Sequence, residues 1–148
     1  SRLAAQVQAG RRQLAYPYGA LWFVGEDRER RFEGELQQVV RGARRMLGLL
    51  PTGLGPGHAE TPLVSLFWSL RADRYEAFRE AGLDAFKAQV LRLNPECAPL
   101  LDQLQSIDDL TWARYHDVVM PAYNTDKCVV IGDAAHATSP HAHWTACS

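Results

Sequence analysis

The sequence predicts an α+β protein, strands then helices then strands, with one parallel-type strand at the end. Three observations carry this expectation. Residues 64–70 alternate with a period of two, placing Val64, Leu66, Trp68 and Leu70 on one strand face and Ser65, Phe67 and Ser69 on the other. Between residues 73 and 104 the apolar positions switch to helical spacing. Strand-like runs flank this helical stretch on both sides, and the last of them, 128–131, is wholly apolar, like a strand buried on both faces of a parallel sheet.

Taken in order, residues 18–24 form a short apolar run between Pro17 and Gly25-Glu26-Asp27, which suits a buried strand. Residues 36–50 read two ways. Leu36, Val39, Val40, Ala43, Met46, Leu47 and Leu50 keep a helical spacing, while Gly42 and Gly48 weaken a helix. Residues 51–62 are a loop by composition. Asp73 reads as an N-cap with Glu76 as its capping-box partner. The helical stripe then runs through Tyr75, Phe78, Leu83, Phe86, Val90 and Leu93, interrupted at Gly82. Asn94-Pro95 ends that helix and caps the next, whose inner face is Leu100, Leu101 and Leu104. Residues 110–119 form a strand and 124–126 a turn.

Composition narrows the functional classes. The 148 residues are 47% hydrophobic and 22% charged, with 11 Gly and 8 Pro, which excludes a collagen, a disordered tail and a coiled coil. A net charge of −1 gives no electrostatic argument for nucleic acid. Residues 1–50 hold nine basic against five acidic side chains and residues 51–148 seven against twelve, read as solvated faces. No run approaches the ~18 apolar residues of a transmembrane helix. Three cysteines, at 97, 128 and 147, an odd number with no C-x-x-C, argue against a disulfide framework or a cysteine zinc site and make a reducing cytoplasm the expected location. The chain opens on Ser1 and is expected to be a piece of a longer protein.

The chemistry concentrates in Cys128-Val-Val-Ile-Gly-Asp-Ala-Ala-His136-Ala-Thr-Ser-Pro140. A strand ending at Gly132-Asp133 offers a ligand close backbone approach at the glycine and a carboxylate acceptor at the strand tip. Ala134 and Ala135 leave room for a flat group, and Ser139-Pro140 is a fixed bend beside it. This string resembles the second FAD-binding motif of the class A FAD-dependent monooxygenases, the family of para-hydroxybenzoate hydroxylase and the ubiquinone-biosynthesis hydroxylases. Gly132, Asp133, Ala134, Ala135, His136 and Pro140 match it position by position. Ser1-Arg2-Leu3 looks like the tail of the same family's Asp-Gly motif.

The resemblance implies an enzyme that hydroxylates an aromatic or similar organic substrate with FAD, NAD(P)H and oxygen. Gly132, Asp133, Ala134 and Pro140 would bind FAD, with Asp133 on a ribityl hydroxyl. Residues 1–117 would be a substrate-domain portion, a mixed β-sheet covered by helices. Residues 118–148 would be the remnant of a Rossmann-like FAD-binding domain, truncated or divergent after Pro140, where His141-Ala-His-Trp-Thr-Ala-Cys-Ser148 replaces the family's glycine-rich continuation. On the family template, 37–41 and 44–50 are strands joined at Gly42, and the two glycines decide for that reading over a helix. Arg114 and Tyr115, a polar pair on a strand, are candidates to orient the substrate. No catalytic side chain is assigned, because the flavin carries the oxygen chemistry. A metal cluster of His136, His141, His143 and Cys147 is the weaker rival, and no metal is expected. Trp22, Trp68, Trp112, Phe23, Phe67 and Tyr115 are read as sheet core. The alternative function is a substrate-binding or dimerisation module without flavin, and oligomerisation is left open.

Overall fold

The structure is a computed structural model that describes residues 12–41, 45–57 and 60–131. Its main sheet has five strands: β1 (Arg12–Glu26), β2 (Gln37–Arg41), β3 (Arg45–Gly53), β4 (Leu63–Arg71) and β5 (Thr111–Val119), in the order β2-β3-β4-β1-β5. The ladders of β2 with β3, β3 with β4 and β4 with β1 are all antiparallel, so the sheet is not the mixed one expected. Two helices follow β4: α1 (Tyr75–Leu93) and the short α2 (Ala98–Leu101). A separate two-stranded ladder joins β6 (Asn124–Thr125) to β7 (Cys128–Val129). The described residues fall into two compact units, 18–113 and 12–17 with 114–131.

β4 is the central strand, hydrogen-bonded along both edges, and it is buried on both faces. Val64, Leu66 and Trp68 join the core facing the helices, while Ser65, Phe67 and Ser69, though on the other face, are also buried. On the helix side, β4 and its neighbours contribute Leu21, Leu47, Leu49, Leu66 and Trp68, against Phe86 and Val90 of α1 and Leu100 and Leu101 of α2. The ring of Phe86 meets Trp68 edge-on at 5.8 Å and Phe78 edge-on at 5.6 Å, arrangements favoured by the ring quadrupoles. Stacked rings of Tyr75 and Trp112, 4.8 Å apart, tie the start of α1 to the start of β5. Gln103 then closes the end of β1: its amide donates to the Glu26 carbonyl at 2.8 Å and accepts from the Glu26 N–H at 2.9 Å.

Residues 36–50 are two antiparallel strands, with Val39 opposite Leu47 and Val40 opposite Met46; the helical spacing is a by-product of this pairing. The junction at Gly42 lies outside the described residues. Gly82 breaks α1 as expected, with φ 81° and ψ 175°. Asn94 accepts from the Glu96 N–H at 3.0 Å, and Pro95 opens the following turn.

Five local expectations are corrected. β1 begins at Arg12 and carries Pro17 within it, so the strand is longer than its apolar run. β3 extends to Gly53, past the point where composition suggested a loop, with an irregularity between Pro51 and Gly53 that accommodates a residue lacking an N–H. Asp73 does not cap α1. Arg71 takes both its oxygens, at 2.9 and 2.6 Å, and a 3₁₀ turn over Ala72–Arg74 leads into the helix without a side-chain cap. The turn at 124–126 is a hairpin, with Asn124–Thr125 and Cys128–Val129 as its arms. Finally, residues 128–131 are not a parallel strand buried on both faces. Their described pairing is two residues long and antiparallel, and Val129 and Ile131 are 67% and 76% exposed.

Candidate functional site

The sheet of residues 18–113 has two unlike faces. Opposite the helices, β-strand periodicity brings together the alternate residues of β1, β3 and β4. One row across the sheet is Gly48, Phe67 and Trp22; the next is Leu50, Ser65 and Val24; Ala20 lies beside Ser69. Gly48 is where Phe67 needs space. A Cβ built at Gly48 would lie 1.8 Å from Phe67 Cζ, so the ring lies directly over the glycine. Trp22 packs on the same ring, with centroids 5.2 Å apart and planes tilted by 38°.

Beside this aromatic platform stands a hydroxyl pair, Thr52 Oγ1 and Ser65 Oγ, 2.7 Å apart. Thr52 also donates to the Leu50 carbonyl at 3.1 Å. With the Thr52 hydrogen on the Leu50 carbonyl, Ser65 is the donor between the two hydroxyls, and the pair offers a ligand acceptor lone pairs. The same face carries Val24, Val40 and Leu50, which are exposed. Chemically, the face can hold a flat apolar group by contact and fix one polar end by hydrogen bonding.

A second feature lies where β1 ends. Asp27 is buried and organises the loop that follows: its carboxylate accepts from the N–H of Arg31 at 2.9 Å and of Phe32 at 2.8 Å. Its carbonyl accepts from the Arg30 N–H at 3.0 Å, and its own N–H donates to the Pro62 carbonyl at 2.8 Å. Phe32 plugs the loop into the core at 2% exposure. Against this loop, the end of β3 and residues 60–63 leave a cleft of about 590 Å³.

Charged groups elsewhere are locally paired. The Asp73 carboxyl is held below its usual range by hydrogen bonding to Arg71. Asp109 is lowered by the N–H groups of Ser106 and Gln105, which donate to its carboxylate. The thiol of Cys97 is pushed up to about 12, chiefly by burial and also by Glu96, so it is an unreactive packing group at neutral pH.

Of the residues singled out from the sequence, Gly132, Asp133, Ala134 and Pro140 lie outside the described residues, as do His136, His141, His143 and Cys147. Arg114 is exposed and Tyr115 half-buried; as neighbours on β5 they stand on opposite faces of the strand. Trp22, Phe23, Phe67, Trp68, Trp112 and Tyr115 all lie on strands, and Phe67 and Trp68 are buried. Sequence reading missed the ordering role of Asp27. An Asp directly after a strand, whose carboxylate can reach N–H groups a few residues on, is the signal that could have found it. Among the described residues no helix is long and apolar enough to cross a membrane, and no group of three or more His, Cys, Asp or Glu side chains is placed to hold a metal.

No known family's profile matches the chain, and no curated protein matches it.

Proposed function

We propose that this chain is part of an FAD-dependent monooxygenase that hydroxylates an aromatic or similar organic substrate, residues 18–113 supplying a substrate-side sheet and the segment from Gly132 to Pro140 supplying flavin contacts. The observation that carries the reading is the motif Gly132-Asp133-Ala134-Ala135-His136 with Pro140. A second point supports it. The family template placed strands at 37–41 and 44–50 where periodicity favoured a helix, and these segments are β2 and β3.

The donor set suits the cofactor chemically. A carboxylate at Asp133 accepts from a sugar-like hydroxyl, Gly132 leaves the backbone open to approach, and Ala134 adds little bulk. FAD bound there would supply the oxygen chemistry, with NAD(P)H as reductant. This chain's own part is to orient the substrate against Trp22, which Phe67 backs from beneath, to offer the Thr52–Ser65 pair as an acceptor to its polar end, and to keep water from the reacting atoms.

The test is FAD affinity, by flavin fluorescence quenching, of the longer protein encoded with the flanking sequence. A charged acceptor in a ligand hydrogen bond is worth ~1.5–3 kcal/mol, so Asp133→Ala should weaken binding roughly 10- to 150-fold with the fold intact. Equal affinities would leave Asp133 a turn residue and remove the main support. The 148-residue chain alone is expected not to oxidise NAD(P)H steadily. A second reading, a binding or dimerisation module without flavin, is favoured by the exposure of Val24, Val40 and Leu50 on one sheet face. It predicts colourless protein whose oligomeric state depends on these three residues.

A further inference from the structure

The sheet face turned away from the helices is uncharged across four strands. Alternation fixes its members as the even-numbered residues 20–24 of β1, 38–40 of β2 and 46–52 of β3, with the odd-numbered residues 65–69 of β4. None of these is Asp, Glu, Lys or Arg. The first charges met on this face of β4 and β1 are already engaged. Arg71, at the end of β4, gives Nε and Nη2 to the two oxygens of Asp73 and lies over the Tyr18 ring at 5.8 Å. Glu26, at the end of β1, accepts from Arg28 Nε at 2.6 Å.

Size says what such a face can hold. Strands ~4.8 Å apart and like-facing residues ~6.7 Å apart give four strands by three rows an area on the order of 400 Å². A stable contact between two proteins takes about 800 Å² from each partner, so the patch is too small for a second copy and suits a small molecule. The hydroxyl pair then sets the polarity. The Thr52 hydrogen goes to the Leu50 carbonyl at 3.1 Å and the Ser65 hydrogen to Thr52 at 2.7 Å, which leaves acceptor lone pairs. Ser65 is buried and Thr52 exposed, so Thr52 is the acceptor a ligand reaches. A carboxylate placed there meets lone pairs and no cation, and loses hydration without return. An ammonium could donate, but it would set an unpaired charge against Val24 and Leu50. A neutral hydroxyl donates to Thr52 and brings no charge.

We propose that this face selects an uncharged, flat ring body bearing a hydroxyl and rejects organic acids, with Thr52 as the residue that determines the preference. This rests on the reading of the face as the substrate side. The ring body lies against Trp22, Val24 and Leu50, and its hydroxyl donates to Thr52.

The test titrates 2-naphthol, 2-methoxynaphthalene and 2-naphthoate into the 148-residue chain at neutral pH and follows backbone amide shifts at residues 22–24, 48–50, 52 and 65–67. The naphthol should give saturable shifts. Its methyl ether, which has no donor, should bind about three- to tenfold more weakly, and the naphthoate more weakly still. Thr52→Val keeps the side chain's shape at an exposed position and should bring the naphthol down to the ether while leaving the ether unchanged. Thr52→Ser should keep the preference, and Trp22→Leu should weaken both compounds alike. A merely structural Thr52 would move both compounds together. Tighter binding of the naphthoate, equal binding of the naphthol and its ether, a preference that survives Thr52→Val, or no saturable shift with any probe would each overturn the proposal. Shifts that follow protein concentration in place of probe concentration would put a second copy on the face and overturn it as well. The flavin reading fails separately, on the FAD affinity of Asp133→Ala, because no flavin enters this titration.

Discussion

The two faces of the sheet share the same strands and differ in what is asked of alternate residues. Toward the helices stand Leu21, Leu47, Leu49, Leu66 and Trp68, each at 3% exposure or less and each packed on another large side chain. The other face has Ala20, Gly48, Ser65 and Ser69 around one buried ring, Phe67, with valines and a leucine at its margin. Volume fills the first face and is withheld from the second. Gly48 of β3 and Ser65 and Ser69 of β4 supply little volume at its centre. Gly48 lets the Phe67 ring lie flat over it, and Ser65 pairs with Thr52.

This contrast can be broken by substitution. Trp68→Ala removes a buried ring packed on Phe86 and should cost about 3–5 kcal/mol in the denaturation midpoint. A much smaller loss would mean that the helix-side core is not continuous. On the opposite face, Gly48→Ala puts a methyl into the Phe67 ring and should cost about 1–3 kcal/mol, with Trp22 emission shifting as the Trp22–Phe67 pair separates. Unchanged emission would show that the ring does not depend on the glycine. Ser65→Ala deletes one hydroxyl of the pair with Thr52 and should cost about 1 kcal/mol, whereas Leu66→Ala, one residue on and on the other face, should cost about 2–5 kcal/mol. Similar losses at both would erase the distinction between faces. Smallest of all, Val40→Thr should stay within about 0.5 kcal/mol, because Val40 is 61% exposed. A clear loss there would mean that Val40 is covered in solution.

The legible parts of the fold are those set by a single local rule. β4 announced itself by alternation, Gly82 by interrupting a stripe, and Asn94-Pro95 by a cap whose donor is two residues away. The sequence misled where two rules competed. Asp73 fits a capping box, yet Arg71 stands closer and takes its oxygens. Residues 36–50 are the exception: their spacing satisfies a helix, the two glycines decide for strands, and Val39 and Leu47 do meet across a ladder. Residues 128–131 have the composition of a doubly buried strand, but burial needs neighbours, and the described pairing there is a two-residue hairpin arm. The open face was half legible. The aromatics and serines could be counted on β4, but Gly48 beneath Phe67 depends on the β3 register, which local sequence does not encode.

The break at Gly82 has a consequence in time as well as in shape. Its angles belong to a region that is essentially glycine-only, so the seven residues 75–81 are a helical piece of their own. Isolated helices shorter than ~12–15 residues are marginal in water, so this piece holds its turns through the Tyr75–Trp112 stack, the Phe78–Phe86 contact and the Arg79–Asp108 pair. Amide hydrogens on the two sides of Gly82 should therefore exchange as two populations. The segment before it opens locally when those three ties release, and the segment after it, with Phe86 and Val90 in the core, opens only when the domain unfolds.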